Sequence, residues 1–211
     1  MSNLDRSKIL TRDEVELCVN DLHERRKSSK NAHANLAIFR LSCCLGLRRL
    51  EIAGLQMRDV VVEGARPFVT VRADNTKGED GKRRKRMVPL WWDRGTLRDL
   101  KEYYEMRLAM GATLQKDPFI CSTRKGFEGN PVTVPKIAAR WQTALRPLGR
   151  VRISRLSVHA GRRSFCSHAL HAGRTLLEVR DAAGHSHVTT TNIYLYAIEN
   201  EDAPDIFDFE D

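Results

Sequence analysis

The sequence has no apolar run that approaches the roughly 20 residues needed to cross a bilayer. Its first residues, MSNLDRSKILTRDE, also lack the apolar centre of a secretory signal peptide. The five cysteines are an odd number without CxxC spacing, which is typical neither of a disulfide framework nor of a zinc knuckle. We interpret them as small core residues in a reducing compartment, and we expect a cytoplasmic protein without a membrane partner.

Internal repeats and linkers rich in proline, glycine or serine are absent as well. The 211 residues suit one domain with a substantial core, and 41% hydrophobic with 30% charged residues is typical of a globular protein. We therefore expect one domain over residues 1–198, followed by an acidic tail over residues 199–211.

Basic residues outnumber acidic residues until the end of the chain. The net charge is +9, and the last thirteen residues hold seven acids and no bases, so residues 1–198 alone carry +16 (+9 plus the seven acids removed). So basic a body indicates a polyanionic partner, most simply nucleic acid. Charge alone does not separate a DNA enzyme from an RNA-binding or ribosomal protein.

Hydrophobic periodicity predicts a mainly helical domain with a small antiparallel β-sheet, an α+β fold. Thr11 and Glu14 form a capping-box pattern at the start of the first helix, and Pro131 suits the first position of a later one. The predicted helices cover residues 11–26, 32–44, 49–56, 95–110, 132–145, 158–171, 176–182 and 189–197. The predicted strands cover residues 59–62, 68–72 and 86–90, with a brief fourth strand at 119–122.

Two segments place arginine beside an acid or a histidine. Arg48 lies where one apolar helix ends and the next begins, and Glu51 follows it by three residues. A guanidinium held there has a fork suited to a phosphate, although a surface salt bridge fits the same spacing. His159 and Arg162 share one helix face, where they suit either phosphate chemistry or simple contact with a DNA backbone.

The segment GHSHVTTTNIYLYA adds His185 and, nine residues later, Tyr194. A phenol has a reference pKa of about 10, so it is a good nucleophile at neutral pH only with help from its neighbours. Tyr196 points to roughly the opposite helix face. Lys77 stands in the charged, turn-rich connection between the second and third strands, where a solvated turn lysine is the ordinary interpretation.

Taken together, these segments resemble the tyrosine recombinase family, also called phage integrases. The order matches that family: LGLRRLE around Arg48, TKG around Lys77, HAGR from His159 to Arg162, GH at His185, and then the tyrosine. The resemblance runs from about residue 10 to residue 197. It implies the tyrosine recombinase catalytic-domain fold and a site-specific DNA recombinase.

The resemblance also implies a role for each residue. Tyr194 would attack a DNA phosphodiester and leave a 3′-phosphotyrosyl bond, with Lys77 giving a proton to the departing 5′-oxygen. The remaining roles fall to five residues: phosphate contact by Arg48, Arg162 and His185, transfer of the nucleophile's proton by His159, and support of the first arginine by Glu51. The expected partners are double-stranded DNA and other copies of the chain, a tetramer in the family. We expect no metal or other cofactor.

The same residues also fit other functions. The same chemistry serves type IB topoisomerases and telomere resolvases, and the fold would also suit a catalytically silent DNA-binding regulator. Three positions depart from the usual family pattern: Gly161, Arg163 and Ala183. Family members commonly carry an additional N-terminal DNA-binding domain, so the chain is either a minimal member or part of a longer protein.

Several further features bear on binding and assembly. We predict DNA contacts from Arg49, Lys82, Arg83, Arg84, Lys85 and Arg163, although the run at 82–86 also resembles a nuclear localisation signal. The histidine pairs 185/187 and 168/171 have metal-like spacing but no evident third ligand. The acidic tail, with Ile206, Phe207 and Phe209, suits docking on a neighbouring copy, masking of the basic surface, or disorder.

Overall fold

A computed structural model describes residues 5–76, 84–113, 115–192 and Tyr194. Its helices are α1 (Arg12–Arg26), α2 (Lys30–Cys43), α3 (Arg49–Ala53), α4 (Arg94–Ala109), α5 (Val134–Ala144), α6 (Gly149–Ile153), α7 (Val158–His171), α8 (Leu176–Ala183) and α9 (Val188–Asn192). Its strands are β1 (Val60–Val61), β2 (Phe68–Val71) and β3 (Arg86–Pro89). The mainly helical fold with a small antiparallel sheet is as the sequence predicted.

Helix α2 is the centre of the core. It is buried along almost its whole length. It packs against its neighbours along the chain, α1 and α3, and against the later helices α4, α5 and α7. Its buried residues include Asn35, Arg40 and Ser42 as well as many apolar side chains. The predicted capping box fixes the start of α1, where Thr11 Oγ1 accepts from the Glu14 amide and the Glu14 carboxylate accepts from the Thr11 amide.

The three strands form one antiparallel sheet in the order β1-β2-β3. Val60 pairs with Val69, and Val69 pairs in turn with Val88 on the other side. Val69, Val71 and Val88 are fully buried, as period-two alternation with one apolar face predicts. The sheet edge at β3 lies against α8, the helix that precedes His185.

Some predicted boundaries are wrong. Residues 119–122 form no strand, because Cys121 makes only an isolated bridge with Pro131. Pro131 therefore lies outside the following helix, which begins at Val134 with Pro135 in its first turn. The third helix ends at Ala53 instead of continuing to residue 56, and the short α6 was not predicted.

Two glycines let α2 and α7 approach each other closely. Gly46 ends the α2 segment with a positive φ of 68°, and a side chain there would meet the Phe165 ring of α7 at 2.4 Å. A Cβ at Gly161 would lie 2.2 Å from Ser42 Oγ. This close approach to Ser42 gives a packing reason for glycine at position 161. The close approach positions Arg162 beside the end of α2.

Across the described residues, no helix combines the length and the apolar composition that a transmembrane span requires.

Candidate active site

The carboxyl end of α8 accepts hydrogen bonds from three arginines of three different segments. Arg86 Nε donates to the Ala182 carbonyl at 2.9 Å, Arg162 Nη2 donates to Ala183, and Arg48 Nη2 donates to Gly184 at 3.3 Å. The last carbonyls of a helix lack intrahelical partners and lie at the negative end of its dipole, so they suit cations. Three consecutive carbonyls thus gather three guanidinium groups immediately before His185.

Gly184 makes this arrangement possible. It ends α8 in the left-handed conformation, with a φ of 69°, which glycine adopts at little cost. A Cβ at this position would lie 2.8 Å from Arg86 Cδ. The residue is therefore required both by the turn and by the passage of an arginine side chain.

Arg162 is held from both sides by backbone. Besides its bond to Ala183, its Nη1 donates to the Gly46 carbonyl at 2.7 Å, and the residue is only 6% exposed. Burial and the neighbouring charge of Arg48 lower the pKa of Arg162 to about 10. The guanidinium remains charged at neutral pH, and two carbonyls fix its orientation.

Arg48 is fixed by Glu51, which is completely buried. The Glu51 carboxylate accepts from the Arg48 amide at 2.8 Å and from Arg48 Nη1 at 3.2 Å. Burial alone would raise the pKa of Glu51, but the bonds and charge of Arg86, followed by the Arg48 amide, hold it at about 2. The pair predicted from sequence spacing is thus a buried ionic cluster and not a surface salt bridge.

The predicted lysine, Lys77, lies outside the described residues. The two residues before it are anchored at the cluster, where Thr76 Oγ1 donates to Glu51 Oε1 at 2.9 Å and Asn75 Nδ2 donates to the Glu51 carbonyl at 2.8 Å. The β2–β3 connection therefore departs from a point in contact with Glu51.

His159 lies on α7 one turn before Arg162 and is exposed. Desolvation and the charges of Arg49, Arg163, Arg162 and Arg48 lower its pKa from the ordinary value of 6.5. The imidazole is therefore predominantly neutral at pH 7, the form in which it can accept a proton.

His185 and Tyr194 lie together at the other side of the α8 terminus. Their rings stack with centroids 6.4 Å apart and planes 15° from parallel, and both residues are buried. Thr191 Oγ1 lies 2.8 Å from His185 Nδ1 and orients the imidazole. Burial raises the pKa of the Tyr194 phenol above 10, and Cys166 adds to this, while Arg163 and Arg162 oppose it. The phenol is therefore protonated and requires a base.

The structure thus brings together Arg48, Glu51, Arg162, His185 and Tyr194, with His159 within electrostatic influence of the arginines. Arg163, which we expected on the DNA, is half-buried and acts electrostatically on Tyr194. Its predicted DNA contact stays a prediction. Tyr196 lies outside the described residues.

Among the other predicted DNA contacts, Arg49, Arg84 and Lys85 are exposed, and Lys82 and Arg83 lie outside the described residues. His168 Nε2 lies 2.8 Å from the Leu10 carbonyl, a contact that ties the start of the chain to α7. No group of three or more His, Cys, Asp or Glu side chains within the described segments is arranged to hold a metal ion.

Sequence reasoning missed the role of Arg86. It ends the basic run at 82–86, in which we predicted DNA contacts for the four residues before it, but its own side chain is only 10% exposed and bonds Glu51. The available signal was its position as the first residue of a predicted strand, since alternation along a strand turns some side chains inward.

The chain is similar in sequence to one protein family and to several curated proteins. A profile of the Phage integrase family matches residues 8–201. The tyrosine recombinase XerC of Chlorobaculum tepidum is 31% identical over 171 residues, which cover 78% of the chain and 45% of that protein. The XerC of Myxococcus xanthus is 30% identical over 71% of the chain and 45% of its own length. The chain spans about half the length of the curated relatives it matches.

Solved structures show the same fold at lower identity. The XerA recombinase structure superposes with a TM-score of 0.68 at 19% identity, covering 91% of the chain and 59% of that protein. A XerH recombinase bound to a palindromic difH substrate, described as a post-cleavage complex, gives a TM-score of 0.65 at 19% identity over 89% of the chain and 48% of that protein. A lambda integrase dimer bound to a COC′ core site gives 0.60 at 15% identity over 94% of the chain and 51% of that protein.

Proposed function

The chain belongs to the phage integrase family, and from that premise we propose that it breaks and rejoins DNA at specific sites through a covalent 3′-phosphotyrosyl intermediate. The observation that carries the proposal is the gathering of Arg48 and Arg162 on the terminal carbonyls of α8, with His185 directly after them and Tyr194 stacked on His185.

In the proposed cleavage step, the Tyr194 phenol oxygen attacks the scissile phosphorus. A bond forms between that oxygen and phosphorus, and the bond from phosphorus to the 5′-oxygen breaks. His159 takes the phenol proton, which the imidazole can accept because its lowered pKa leaves it neutral at pH 7, and Lys77 gives a proton to the departing 5′-oxygen. Rejoining reverses these steps, with a DNA 5′-hydroxyl attacking the phosphotyrosine.

Arg48 and Arg162 would hold the two non-bridging phosphate oxygens as negative charge develops on them. Such charge stabilisation is the largest single catalytic contribution in many enzymes, and loss of one preorganised donor costs about 2.7–4 kcal/mol. Both guanidinium groups are already fixed by backbone carbonyls, so little reorganisation is needed at the moment of reaction. His185, oriented by Thr191, would add a further hydrogen bond.

We expect this chemistry to need neither a metal ion nor ATP. Two guanidinium groups can supply the positive charge that a divalent cation provides to phosphate in other enzymes. The phosphotyrosine ester retains the energy of the broken phosphodiester, so resealing requires no second energy source.

The expected partners are double-stranded DNA and further copies of the chain. Arg49, Arg84 and Lys85 are exposed cations suited to duplex phosphates.

A cavity of about 500 Å³ lies among α1, α2 and α7, and its lining includes Arg12, Trp92 and Phe165. Such cationic and aromatic side chains complement the acids and phenylalanines of residues 199–211, so we propose that the tail of another copy occupies this cavity.

The tail proposal is tested by truncating the chain after Ala197 and measuring its assembly on DNA by analytical ultracentrifugation. We expect smaller assemblies. Oligomers of unchanged size would contradict tail docking, and tighter DNA binding without a change of size would instead favour masking of the basic surface.

The proposed reaction is tested with a nicked suicide duplex that carries a site selected from random duplexes by the protein itself. We expect a protein–DNA adduct that survives denaturation and is lost in Tyr194→Phe. Binding without an adduct would favour a silent regulator. Adduct formation with relaxation or hairpin formation, but no exchange between paired sites, would favour a topoisomerase or telomere resolvase.

A further inference from the structure

Arg86 stands apart from the basic run to which it belongs. Arg84 and Lys85 are exposed, whereas the Arg86 side chain turns inward from the start of β3 and is only 10% exposed. A buried guanidinium must be matched by acceptors, because desolvation of an unpaired charge is costly. Its contacts therefore indicate what it does.

Three donors of Arg86 are engaged in two different places. Nη1 and Nη2 donate to the two oxygens of Glu51 at 2.8 and 2.7 Å, a bidentate pair, and Nε donates to the Ala182 carbonyl at 2.9 Å. A planar fork holds such partners in a fixed relative orientation. One side chain of β3 thus connects α3 to the end of α8.

Arg86 also changes the charge balance at Glu51. The carboxylate is shared between Arg86 and Arg48. Arg86 thereby supplies a second cation to the buried carboxylate that anchors Arg48.

The same side chain sets the geometry of the α8 terminus. The carbonyl that Arg86 holds, Ala182, is followed by the two carbonyls that hold Arg162 and Arg48. A shift of this terminus would move both phosphate-binding arginines together with His185, which follows directly.

We propose that Arg86 is a positioning residue for DNA cleavage, which acts by holding Glu51 and the α8 terminus so that Arg48 and Arg162 meet one phosphate. This role rests on the proposed function of the site. Arg86 itself would touch neither the DNA nor the phenol. It links the β2–β3 connection, which carries Lys77, to the arginines.

The test compares Arg86→Met with Arg152→Met in single-turnover cleavage of the selected suicide duplex. Arg152 is a matched control, because it also pairs with a carboxylate, Glu14, at 2.6 and 2.9 Å and bonds two backbone carbonyls, but at α1. We expect Arg86→Met to lower the cleavage rate constant about 100-fold, the effect of a misplacement on the order of 1 Å, with the duplex Kd and the final adduct yield retained. Arg152→Met should leave the rate constant unchanged.

Arg86→Lys should recover part of the rate, since it restores the charge without the fork. A lower adduct yield with an unchanged rate constant would reveal only loss of folded protein and would overturn the positioning role. An equal rate loss in Arg86→Met and Arg152→Met would overturn it as well.

A measurement without DNA separates this inference from the proposed function. The Nε–Hε signal of Arg48, followed by NMR in the full chain, should shift and broaden in Arg86→Met and stay in place in Arg152→Met. An unmoved Arg48 signal in Arg86→Met overturns the inference whether or not the chain cleaves. Absence of any adduct from the unaltered chain would overturn the proposed function, while the Arg48 signal would still decide the positioning of Arg48 by Arg86.

Discussion

At Gly46, just after α2, the structure requires both a left-handed backbone conformation and space for the Phe165 ring. Replacing Gly46 by alanine violates both requirements. Alanine in the left-handed conformation costs roughly 1–2 kcal/mol. Its Cβ would also lie 2.4 Å from Phe165 Cδ1, and overpacking of a core costs about 1–3 kcal/mol. Together these effects predict a loss of about 2–5 kcal/mol in the free energy of unfolding.

The matched control is Gly173→Ala. Gly173 also follows a helix, with a φ of 81°, but nothing lies within 4 Å of a Cβ built there. Only the backbone cost applies, so we expect a loss of about 1–2 kcal/mol. Urea unfolding followed by circular dichroism, with linear extrapolation, measures both values.

The two variants should also differ in activity. The Gly46 carbonyl accepts from Arg162 Nη1 at 2.7 Å, so a shift of residue 46 disturbs a proposed phosphate-binding group. We expect slower suicide-substrate cleavage by Gly46→Ala and an unchanged rate for Gly173→Ala. Equal losses of stability in the two variants would refute the claim that contact between α2 and α7 at Gly46 is tight.

Three further predictions concern the charged groups. Arg162→Lys keeps the charge but not the fork held by Gly46 and Ala183, so cleavage should slow by about 10²–10³ at saturating protein, and a normal rate would contradict its role. Glu51, with its pKa held at about 2 against an ordinary 4.5, should contribute about 3 kcal/mol of stability above pH 4.5 that is lost as the pH falls toward 2. Urea titrations of the chain and of Glu51→Gln should therefore converge in that range, and a constant difference would exclude the linkage. Arg84→Ala and Lys85→Ala should each weaken binding to any duplex and lower the slope of log K against log salt by about 1 in fluorescence anisotropy, whereas a loss confined to one sequence would indicate base contact.

Local signals in the sequence were sufficient for most elements of the fold. The Thr11–Glu14 capping box, the apolar length of α2 and the alternating valines of the sheet each specify an element through nearby residues alone. Residues 119–122 were wrongly predicted as a strand because an apolar run shows a suitable composition but not whether a partner strand is present. The bridge of Cys121 is isolated, and its partner there, Pro131, cannot donate to a ladder.

The sequence predicted which residues form the candidate site but not how they are arranged in space. Motif order predicted Arg48, Arg162, His185 and Tyr194 as site residues. The meeting of the two arginines on the α8 carbonyls depends on contacts between distant segments. Arg86 was missed for the same reason, because an arginine within a basic run looks solvent-exposed until its buried carboxylate partner is known.

The most direct measurement of the central claim is to locate the DNA on the protein. No lysine or arginine follows Arg180, so trypsin releases residues 181–211 as one peptide that contains both Tyr194 and Tyr196. After cleavage of a suicide duplex, nuclease trimming and tandem mass spectrometry of this peptide should place a 3′-phosphonucleotide on Tyr194. The same mass on Tyr196, or on a residue outside this peptide, would contradict the proposed site.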